Sequence, residues 1–537
     1  MDLNSTACWV FGGMGFWVLI SCSHPCLIEM LYSYLKQLLN KNYVKRVDLD
    51  MFEEFEERGE WWLPDNPDKK VFGTLKFNPN SGAVLDLISS FIDIQSERQP
   101  ALYTLILGKV STGKIITLYQ CSYFRSSLNI SISSGFGTCQ FYVYKVFTGF
   151  HFQEESDIKF KSLIVYYSYL NEWSQMGLPN IELSQEEFSI KYKRRELIEP
   201  VNIKQDWQVF MELYADYDWD KLDININKQV NIVIESDEEK SLQEYEKVMR
   251  HIQNFLSLCV TKPVYPLFIR GLKMGDAFSS ITGLMEYRPI SVNILYQVSN
   301  TPIVTKNLMP YDMLLTFSKL SSKFEYYLGN WFRKIELLEP IYELYFGTIY
   351  NSYMYPQQEF LNLMQSVEAY HRKNPTMKQY EISQEEHSER VEKIINKTPE
   401  EYKTWLKNRL VPQGKVYISN QLDLRKRLVE IINVCSEALG EFIEQSNLFK
   451  SRKMRDSFIY KIVRMRNYLT HLDDHGDESL KQQAANDNLL RYWSQKIKLI
   501  IEICFLYEVG FSPEEIKDIF MQRNDKELII HLLSTNF

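Results

Sequence analysis

An arginine, an asparagine and a histidine lie within six residues of one another near the C-terminal end of the chain. Arg466 and Asn467 are adjacent and His471 follows, which gives the pattern R-N-x-x-x-H. Histidine as a residue type exchanges protons near neutral pH, whereas arginine stays charged and donates planar hydrogen bonds to phosphate oxygens. RNA cleavage without a metal ion needs these groups, because the 2′-hydroxyl must lose a proton and the departing 5′-oxygen must gain one. The predicted products carry a 2′,3′-cyclic phosphate and a 5′-hydroxyl.

The segment has the apolar spacing of a helix, and helical geometry limits how these side chains meet. At about 100° per residue, Asn467 and His471 share one face, whereas Arg466 and His471 point about 140° apart. Convergence therefore requires the long reach of Arg466, a distorted helix end before Asp473 and Asp474, or a second subunit. We expect Asn467 to orient the imidazole or to hold a phosphate oxygen. A symmetric dimer would place two such sets around one cleft.

Basic side chains precede this motif, although the whole chain is acidic. The 537 residues include 61 Lys and Arg against 69 Asp and Glu, a net charge of -8. Residues 351–537 hold equal numbers of both signs, so the negative excess belongs to residues 1–350. The basic residues before Arg466, against Asp456 alone, are Lys450, Arg452, Lys453, Arg455, Lys461 and Arg464. We expect Arg455, Lys461 and Arg464 to bind an RNA backbone, with a solvated helix face as the alternative.

Two other motifs have chemical alternatives that the context disfavours. Residues 108–114 read GKVSTGK, which matches part of a phosphate-binding loop, but Ile115 replaces the hydroxyl residue and a strand follows, so a hairpin turn is expected. His471 and His475 have the spacing of a metal pair, yet no HExxH motif accompanies them. We therefore predict neither nucleotide hydrolysis, nor a metal site, nor a cofactor.

Composition indicates an ordinary globular protein. Hydrophobic residues make up 45% of the chain and charged residues 24%, with only 21 Gly and 18 Pro, which excludes collagen-like and disordered classes. The length predicts two to four domains. The eight cysteines form no CxxC pair, so we expect buried thiols in a reducing compartment, the cytoplasm.

Residues 1–50 form a hydrophobic N-terminal extension that differs from the rest of the chain. The apolar run from Ala7 to Cys22 is shorter than the ~20 residues that span a bilayer, and the leader has no Lys or Arg. The alternatives are a lipoprotein cleavage box at Cys22, a mis-assigned start with Met51 as the true one, and a poorly packed or interfacial helix. We place this segment outside the functional core and expect no stable membrane association.

The periodicity of apolar residues changes once along the chain. Between residues 52 and 236, short β-branched and aromatic runs separated by turns such as Asn80–Ser81–Gly82 predict antiparallel strands. One helix is expected near Leu242 to Cys259, and after Tyr355 the spacing becomes helical. Helix starts are predicted at Ser383, Thr398 and Ser512, and a helix end at Gly510. The predicted fold class is α+β, with a β-rich part followed by an all-helical bundle.

Three parts of the sequence together resemble a known family. The pattern R-N-x-x-x-H late in an all-helical region resembles the signature of HEPN domains, and GEWWLPDNP at 59–67 with FGTLKFNPNSGAVLDL at 72–87 resembles the opening of ApeA antiphage proteins. WFRKIELLEPIYELYF followed by EFLNLMQSVEAYHR resembles their junction into the HEPN domain. The resemblance covers roughly residues 51–537. It implies a sensing or regulatory β-rich domain at 51–345 and a HEPN nuclease domain at 346–537.

The resemblance also implies a function and a site. HEPN proteins of this kind are metal-independent ribonucleases of abortive infection, restrained until infection and then cutting host RNA, with tRNA as one candidate. Arg466 and His471 match the catalytic pair and Asn467 the polar residue beside it. Glu368 and His371 are candidate site-lining residues on the first helix of the domain, with a solvated polar face as the alternative. The implied partners are RNA, a second copy bound through the HEPN domain, and a phage-derived trigger. The competing hypothesis is a non-catalytic sensor with a vestigial HEPN dimerisation module.

Overall fold

The structure of the chain, a computed structural model, falls into two compact units. Unit 1 comprises Met1–Glu155 and Gly275–Ser299, and unit 2 comprises Ser156–Met274 and Asn300–Phe537. The residues that the structure describes are 8–12, 16–20, 53–92, 100–131, 134–184, 188–193, 195–220, 223–275, 277–279, 285–297, 308–351, 353–410, 420–439, 451–472, 477–523 and 525–534.

Strands dominate the described chain up to residue 296. In chain order they are β1 Cys8–Gly12, β2 Phe16–Ile20, β3 Phe55–Leu63, β4 Asn66–Asn78, β5 Gly82–Leu87, β6 Leu102–Val110, β7 Ile115–Ser131, β8 Ser134–Thr148, β9 Lys159–Tyr167, β10 Asn180–Leu183, β11 Phe188–Lys191, β12 Arg195–Leu197, β13 Val201–Lys204, β14 Trp207–Asp220, β15 Asp223–Ser241, β16 Pro266–Lys273, β17 Ala277–Ser279, β18 Met285–Tyr287 and β19 Ile290–Tyr296.

Helices dominate the chain after residue 316. In chain order the α-helices are α1 Leu170–Ser174, α2 Leu242–Val260, α3 Phe317–Leu320, α4 Phe324–Arg333, α5 Ile335–Tyr350, α6 Pro356–Lys373, α7 Gln384–Lys397, α8 Glu400–Leu410, α9 Leu424–Leu439, α10 Arg452–His471, α11 Glu478–Ala484, α12 Asp487–Val509, α13 Pro513–Met521 and α14 Lys526–Ser534. Short 3-10 turns lie at Glu155–Asp157, Pro310–Asp312 and Ser321–Lys323. None of the described helices is both long enough and apolar enough to cross a membrane.

Unit 1 contains an antiparallel sheet that closes on itself. Its strands pair in the order β8-β5-β4-β3-β6-β7, and β7 pairs back onto β8. Trp61 of β3 is fully buried and packs against Gly108 of β6, where a Cβ would lie 2.2 Å from the indole ring. The tryptophan-rich segment at 59–67 therefore contributes Trp61 to a tightly packed core. In that core, residue 108 must be glycine.

Unit 2 combines antiparallel strands with the helices. These strands pair in the order β12-β14-β15-β9-β16, with β13 also paired to β14. Helix α2 starts with a capping box at Ser241 and Glu244 and buries its apolar face. The indole of Trp331 in α4 donates to the carbonyl of His251 in α2 at 2.9 Å, and its ring stacks on Tyr342 of α5. Sheet, α2 and the later helices thus share one core.

Most predicted elements are confirmed. The predicted helix near Leu242 to Cys259 is α2, and Ser383, Ser512 and Gly510 occupy the predicted helix termini. Thr398 differs, because its hydroxyl donates to the carbonyl of Ile394 at the end of α7. The α+β fold class is confirmed, with β-rich structure followed by a helical region. The boundaries at residues 50 and 345 stay predictions.

The structure defines the backbone conformation of two segments that the sequence left open. Residues 108–110 are the end of β6 and residues 111–114 form a tight turn that leads into β7. Gly113 has φ 86°, and its N–H donates to the carbonyl of Val110 at 2.8 Å. The hairpin prediction is confirmed, and the helix that a phosphate loop needs is replaced by a strand. Near the N-terminus, β1 and β2 pair as antiparallel strands, so the alternative of an interfacial helix is wrong for residues 8–12 and 16–20.

Candidate active site

The candidate site lies on two helices of unit 2 that pack against each other. Helix α10 buries one stripe of its surface, formed at three- and four-residue spacing by Phe458, Ile459, Ile462 and Met465. Arg466 follows this stripe directly and is therefore held at its edge, with 31% of its side chain exposed. Glu368 lies at the matching edge of α6, one residue after buried Val367.

An ion pair joins these two edges. Nη2 of Arg466 donates to Oε2 of Glu368 at 3.2 Å, and Nη1 donates to the side-chain oxygen of Asn467 at 3.2 Å. The other oxygen of Glu368 accepts two hydrogen bonds from Arg372, from Nη2 at 2.8 Å and from Nε at 3.2 Å. One carboxylate thus lies between two guanidinium groups, and among the described residues Arg466 uses two of its five N–H donors.

His471 occupies the last turn of α10 on a different side of the helix. It lies nine residues after buried Ile462, about 180° around an ideal helix, and its side chain is exposed. The next residue, Leu472, ends the helix in the left-handed conformation at φ 54°. Within the described part of the chain, the imidazole has neither a hydrogen bond nor an ion pair. Arg466 and His471 do not contact each other, so a substrate or a second subunit must bring their functions together.

His371 lies in the interior, which is at odds with a site-lining role. Its side chain is 0% exposed, with Nε2 2.8 Å from a carboxylate oxygen of Glu430 and Nδ1 2.9 Å from Nη1 of Arg427. Because arginine can only donate, Nδ1 must accept, and Nε2–H therefore donates to Glu430. Burial lowers the pKa of His371, and Glu430 opposes this shift only in part. The geometry thus fixes a neutral imidazole that joins α6 to α9.

Buried Arg427 completes this network. Its Nε donates to the carbonyl of Leu422 at 2.9 Å and its Nη1 to the side-chain oxygen of Gln379 at 3.1 Å. Gln379 in turn donates to the carbonyl of His371 at 2.7 Å. The network fixes the C-terminal turn of α6, where Glu368 and Arg372 are anchored. Its role is therefore to position the helix that carries the Arg466 partner.

The three predicted RNA-binding residues have different surroundings. Arg464 forms an ion pair with Asp477, which lies just before α11. Arg455 donates from Nη1 to the side-chain oxygen of Asn433 at 2.5 Å and is largely covered. Lys461 lines a cavity beside α11 and α12. Their predicted contacts with RNA stay predictions.

Several residues of the site were not predicted from the sequence. Arg372 could have been found, because Glu368 and Arg372 have the i,i+4 spacing of a helical ion pair. Arg427 and Glu430 had no comparable signal, since they meet His371 only through the packing of α9 on α6. No group of three or more potential metal ligands occurs among the described residues. Asp473 and Asp474, considered above as a helix end, and His475, considered as part of a metal pair, lie outside the described residues.

Comparisons with known proteins identify the family. A model of ApeA N-terminal domain 1 matches residues 56–331, and a model of the Apea-like HEPN domain matches residues 361–515. The second match contains most of α6 and all of α10, and with them Glu368, Arg466 and His471. No curated protein and no solved structure matches the chain significantly.

The family assignment has a general functional meaning. HEPN domains are associated with nuclease activity, commonly dimerise and act on RNA. The first match alone covers more than half of the chain, and the second follows it in the expected order. The chain therefore belongs to the ApeA family of defence proteins, with an ApeA N-terminal domain followed by an ApeA-like HEPN domain.

Proposed function

We propose that the protein is a metal-independent endoribonuclease of abortive infection that cuts host RNA in the cytoplasm, with tRNA as a candidate substrate. The observation that carries this proposal is the end of α10, where the Arg466 guanidinium keeps free donors and the His471 imidazole is exposed. Both groups lie in the segment that matches the HEPN model. A phosphate that displaces Glu368 would bind the Arg466 guanidinium, which is held at the edge of α10.

The proposed reaction is an internal displacement at phosphorus. The 2′-oxygen forms a bond to phosphorus while the bond from phosphorus to the 5′-oxygen breaks, which leaves a cyclic phosphate. The proton of the 2′-hydroxyl passes to a base, and a proton from an acid reaches the departing 5′-oxygen. His471 serves in one of these proton transfers, Arg466 stabilises the charge on the phosphorane, and Asn467 holds Arg466 or a phosphate oxygen.

A homodimer through the HEPN domain fits the separation of Arg466 and His471 on α10. Among the described residues of a single chain, His471 is the exposed imidazole at this site, whereas the reaction uses a base and an acid. Two copies related by a twofold axis would supply both, with two arginines around one cleft. In this proposal the N-terminal domain senses a phage-derived trigger and restrains the nuclease until infection.

The test is cleavage of total RNA by purified full-length protein in EDTA, with the chemistry of the new ends determined. We expect cyclic phosphate ends from the wild type and at least 100-fold slower cleavage by Arg466→Ala and His471→Ala. Arg390→Ala and His387→Ala are matched controls on α7 and should cleave as the wild type does. Equal cleavage by all variants would overturn the assignment of the site.

The competing function is a non-catalytic interaction module. It is favoured by one observation, the ion pair that engages Arg466 with Glu368. Under this hypothesis His471→Ala retains full protection of cells against phage. Loss of protection in His471→Ala, with unchanged folding and dimerisation, supports the ribonuclease instead.

A further inference from the structure

A cavity of about 350 Å³ lies between α10, α11 and α12, and nothing in the proposed cleavage reaction uses it. Its volume falls within the ~300–1,000 Å³ that is typical of sites for small organic molecules. The described side chains that line it are Lys461, Gln483, Asn486, Asn488, Leu489 and Trp493. The lining therefore combines three carboxamides, one ammonium group and two apolar groups.

The carboxamides are available to a ligand. Among the described residues, the side chains of Gln483 and Asn488 make no hydrogen bond. The side-chain oxygen of Asn486 accepts from the backbone N–H of Leu489 at 3.1 Å, which leaves the amide NH₂ as a donor. Unused amide groups in a recess form a site that offers donors and acceptors side by side.

An ion pair and a hydrogen bond hold the walls of the cavity in place. The ion pair between Arg464 and Asp477 ties α10 to the start of α11. Gln357 of α6 donates to the carbonyl of Ala484 at 3.0 Å, which fixes the end of α11. The site is thus largely formed before a ligand arrives, which lowers the entropic cost of binding.

We propose that this cavity is a nucleobase subsite that reads one base of the RNA substrate, an inference that rests on the proposed ribonuclease function. Asn and Gln side chains match base edges, because each presents a donor and an acceptor in one plane. An inorganic anion would gain little from three carboxamides. Lys461 supplies a charge for the phosphate of the same nucleotide, and Leu489 and Trp493 give the base an apolar wall.

The position of the cavity along α10 suits such a role. Lys461 precedes His471 by ten residues, about 15 Å along the helix axis, and the two lie within about 80° of each other around it. Arg464 and Tyr468 lie between them on the same side of an ideal helix. A strand of RNA that reaches His471 can therefore place a base within a few nucleotides of the cut into the cavity.

The first test measures binding without cleavage. Full-length protein is mixed with each of the four nucleoside 5′-monophosphates, and binding is followed by saturation-transfer NMR on the nucleotide. We expect one or two bases to bind preferentially and the Gln483→Ala/Asn488→Ala variant to lose at least 5-fold in affinity. Gln482→Ala/Gln495→Ala, which removes two exposed carboxamides from α11 and α12 outside the cavity, is the matched control and should bind as the wild type does.

Inorganic phosphate distinguishes a base site from an anion site. Displacement of the nucleotides by equimolar phosphate, or equal affinity for all four nucleotides in wild type and variant, would overturn the proposal. Thermal unfolding of the double variant checks its fold, and we expect a midpoint within a few degrees of the wild type because the two side chains make no bonds among the described residues.

The second test uses cleavage of a pool of randomised oligoribonucleotides, with sequencing of the new ends. The wild type should favour one base at a fixed distance from the cut, and Gln483→Ala/Asn488→Ala should flatten that preference at least 5-fold. Absence of cleavage by the wild type contradicts the ribonuclease proposal, while nucleotide binding still tests the subsite. Retained preference in the double variant contradicts the subsite alone.

Discussion

The guanidinium of Arg466 and the carboxylate of Glu368 form an ion pair across α10 and α6, with 3.2 Å between Nη2 and Oε2. Both side chains are partly covered, and Arg372 shares the same carboxylate. A phosphate that binds Arg466 must compete with Glu368. This competition lets one acidic residue set how readily the candidate site accepts RNA.

Replacing Glu368 by glutamine should strengthen RNA binding. The amide oxygen still accepts a hydrogen bond, but the negative charge that opposes a phosphate is gone. In an inactive His471→Ala background, we expect the Kd for RNA to fall about 2- to 10-fold, as removal of one weak charge interaction implies. Filter binding at several salt concentrations measures the change. Glu386→Gln on α7 is the control, and equal or weaker binding by Glu368→Gln would show that Glu368 does not compete with RNA.

The buried network around His371 should govern stability more than chemistry. His371→Ala leaves Arg427 and Glu430 with unpaired groups in or near the interior, which we expect to cost about 2–4 kcal/mol of unfolding free energy. Chemical denaturation measures this cost. Urea midpoints like those of the wild type, together with lost cleavage, would instead indicate a direct role in the reaction.

Mild acid should weaken the fold through the same residue. Because burial lowers the pKa of folded His371 below that of the unfolded chain, the unfolded state binds more protons as pH falls below about 6.5. The stabilisation from neutral His371 is complete above that pH and is lost as pH falls towards the folded pKa. The stability difference between wild type and His371→Ala should therefore shrink from pH 7.5 to 5. A constant difference would contradict the neutral tautomer.

Lys496 should give an effect of the same sign, stability that rises with pH, in the alkaline range. Burial, with a smaller contribution from Lys461, lowers the pKa of Lys496 to about 8, and its ammonium lies over the rings of Tyr492 and Phe458. Between about pH 8 and 10.5 the unfolded lysine holds a proton that the folded one releases, so stability rises with pH by up to about 3 kcal/mol. Denaturant unfolding of the wild type and of Lys496→Met at several pH values isolates the contribution of Lys496. If the unfolding free energies of the two proteins changed with pH in the same way, the lowered pKa of Lys496 would be refuted.

Lys114 should be dispensable. It ends the hairpin turn between β6 and β7, and its side chain forms an ion pair with Glu57 at 3.7 Å. We expect Lys114→Ala to change stability by about 0.5 kcal/mol or less and to leave RNA cleavage and protection against phage intact. Plaque assays and RNA cleavage check this, with Lys109→Ala as a control on β6. A folded variant without protection would revive a nucleotide-dependent function.

Local structure was largely predictable because it depends on neighbours in the chain. Runs of β-branched and aromatic residues separated by turns predicted the strands of unit 1, and three- and four-residue spacing predicted α6, α10 and α12. Gly113 and Gly510 marked a turn and a helix end because both need a positive φ, which glycine adopts without a steric penalty. The hydrophobic run at residues 8–20 was harder, since a short apolar segment fits a strand as well as a helix.

The features of the candidate site likewise fall into those that the sequence determines and those that depend on tertiary packing. The sequence by itself determined that Arg466 and His471 face different directions on one helix, since their spacing fixes that angle. Only the tertiary structure decided that Arg466 meets Glu368, that His371 is buried against Arg427 and Glu430, and that Gln483 and Asn488 line a cavity with Lys461. The reason is physical: helical periodicity sets the face on which a side chain lies, whereas the packing of separate helices sets what that face touches.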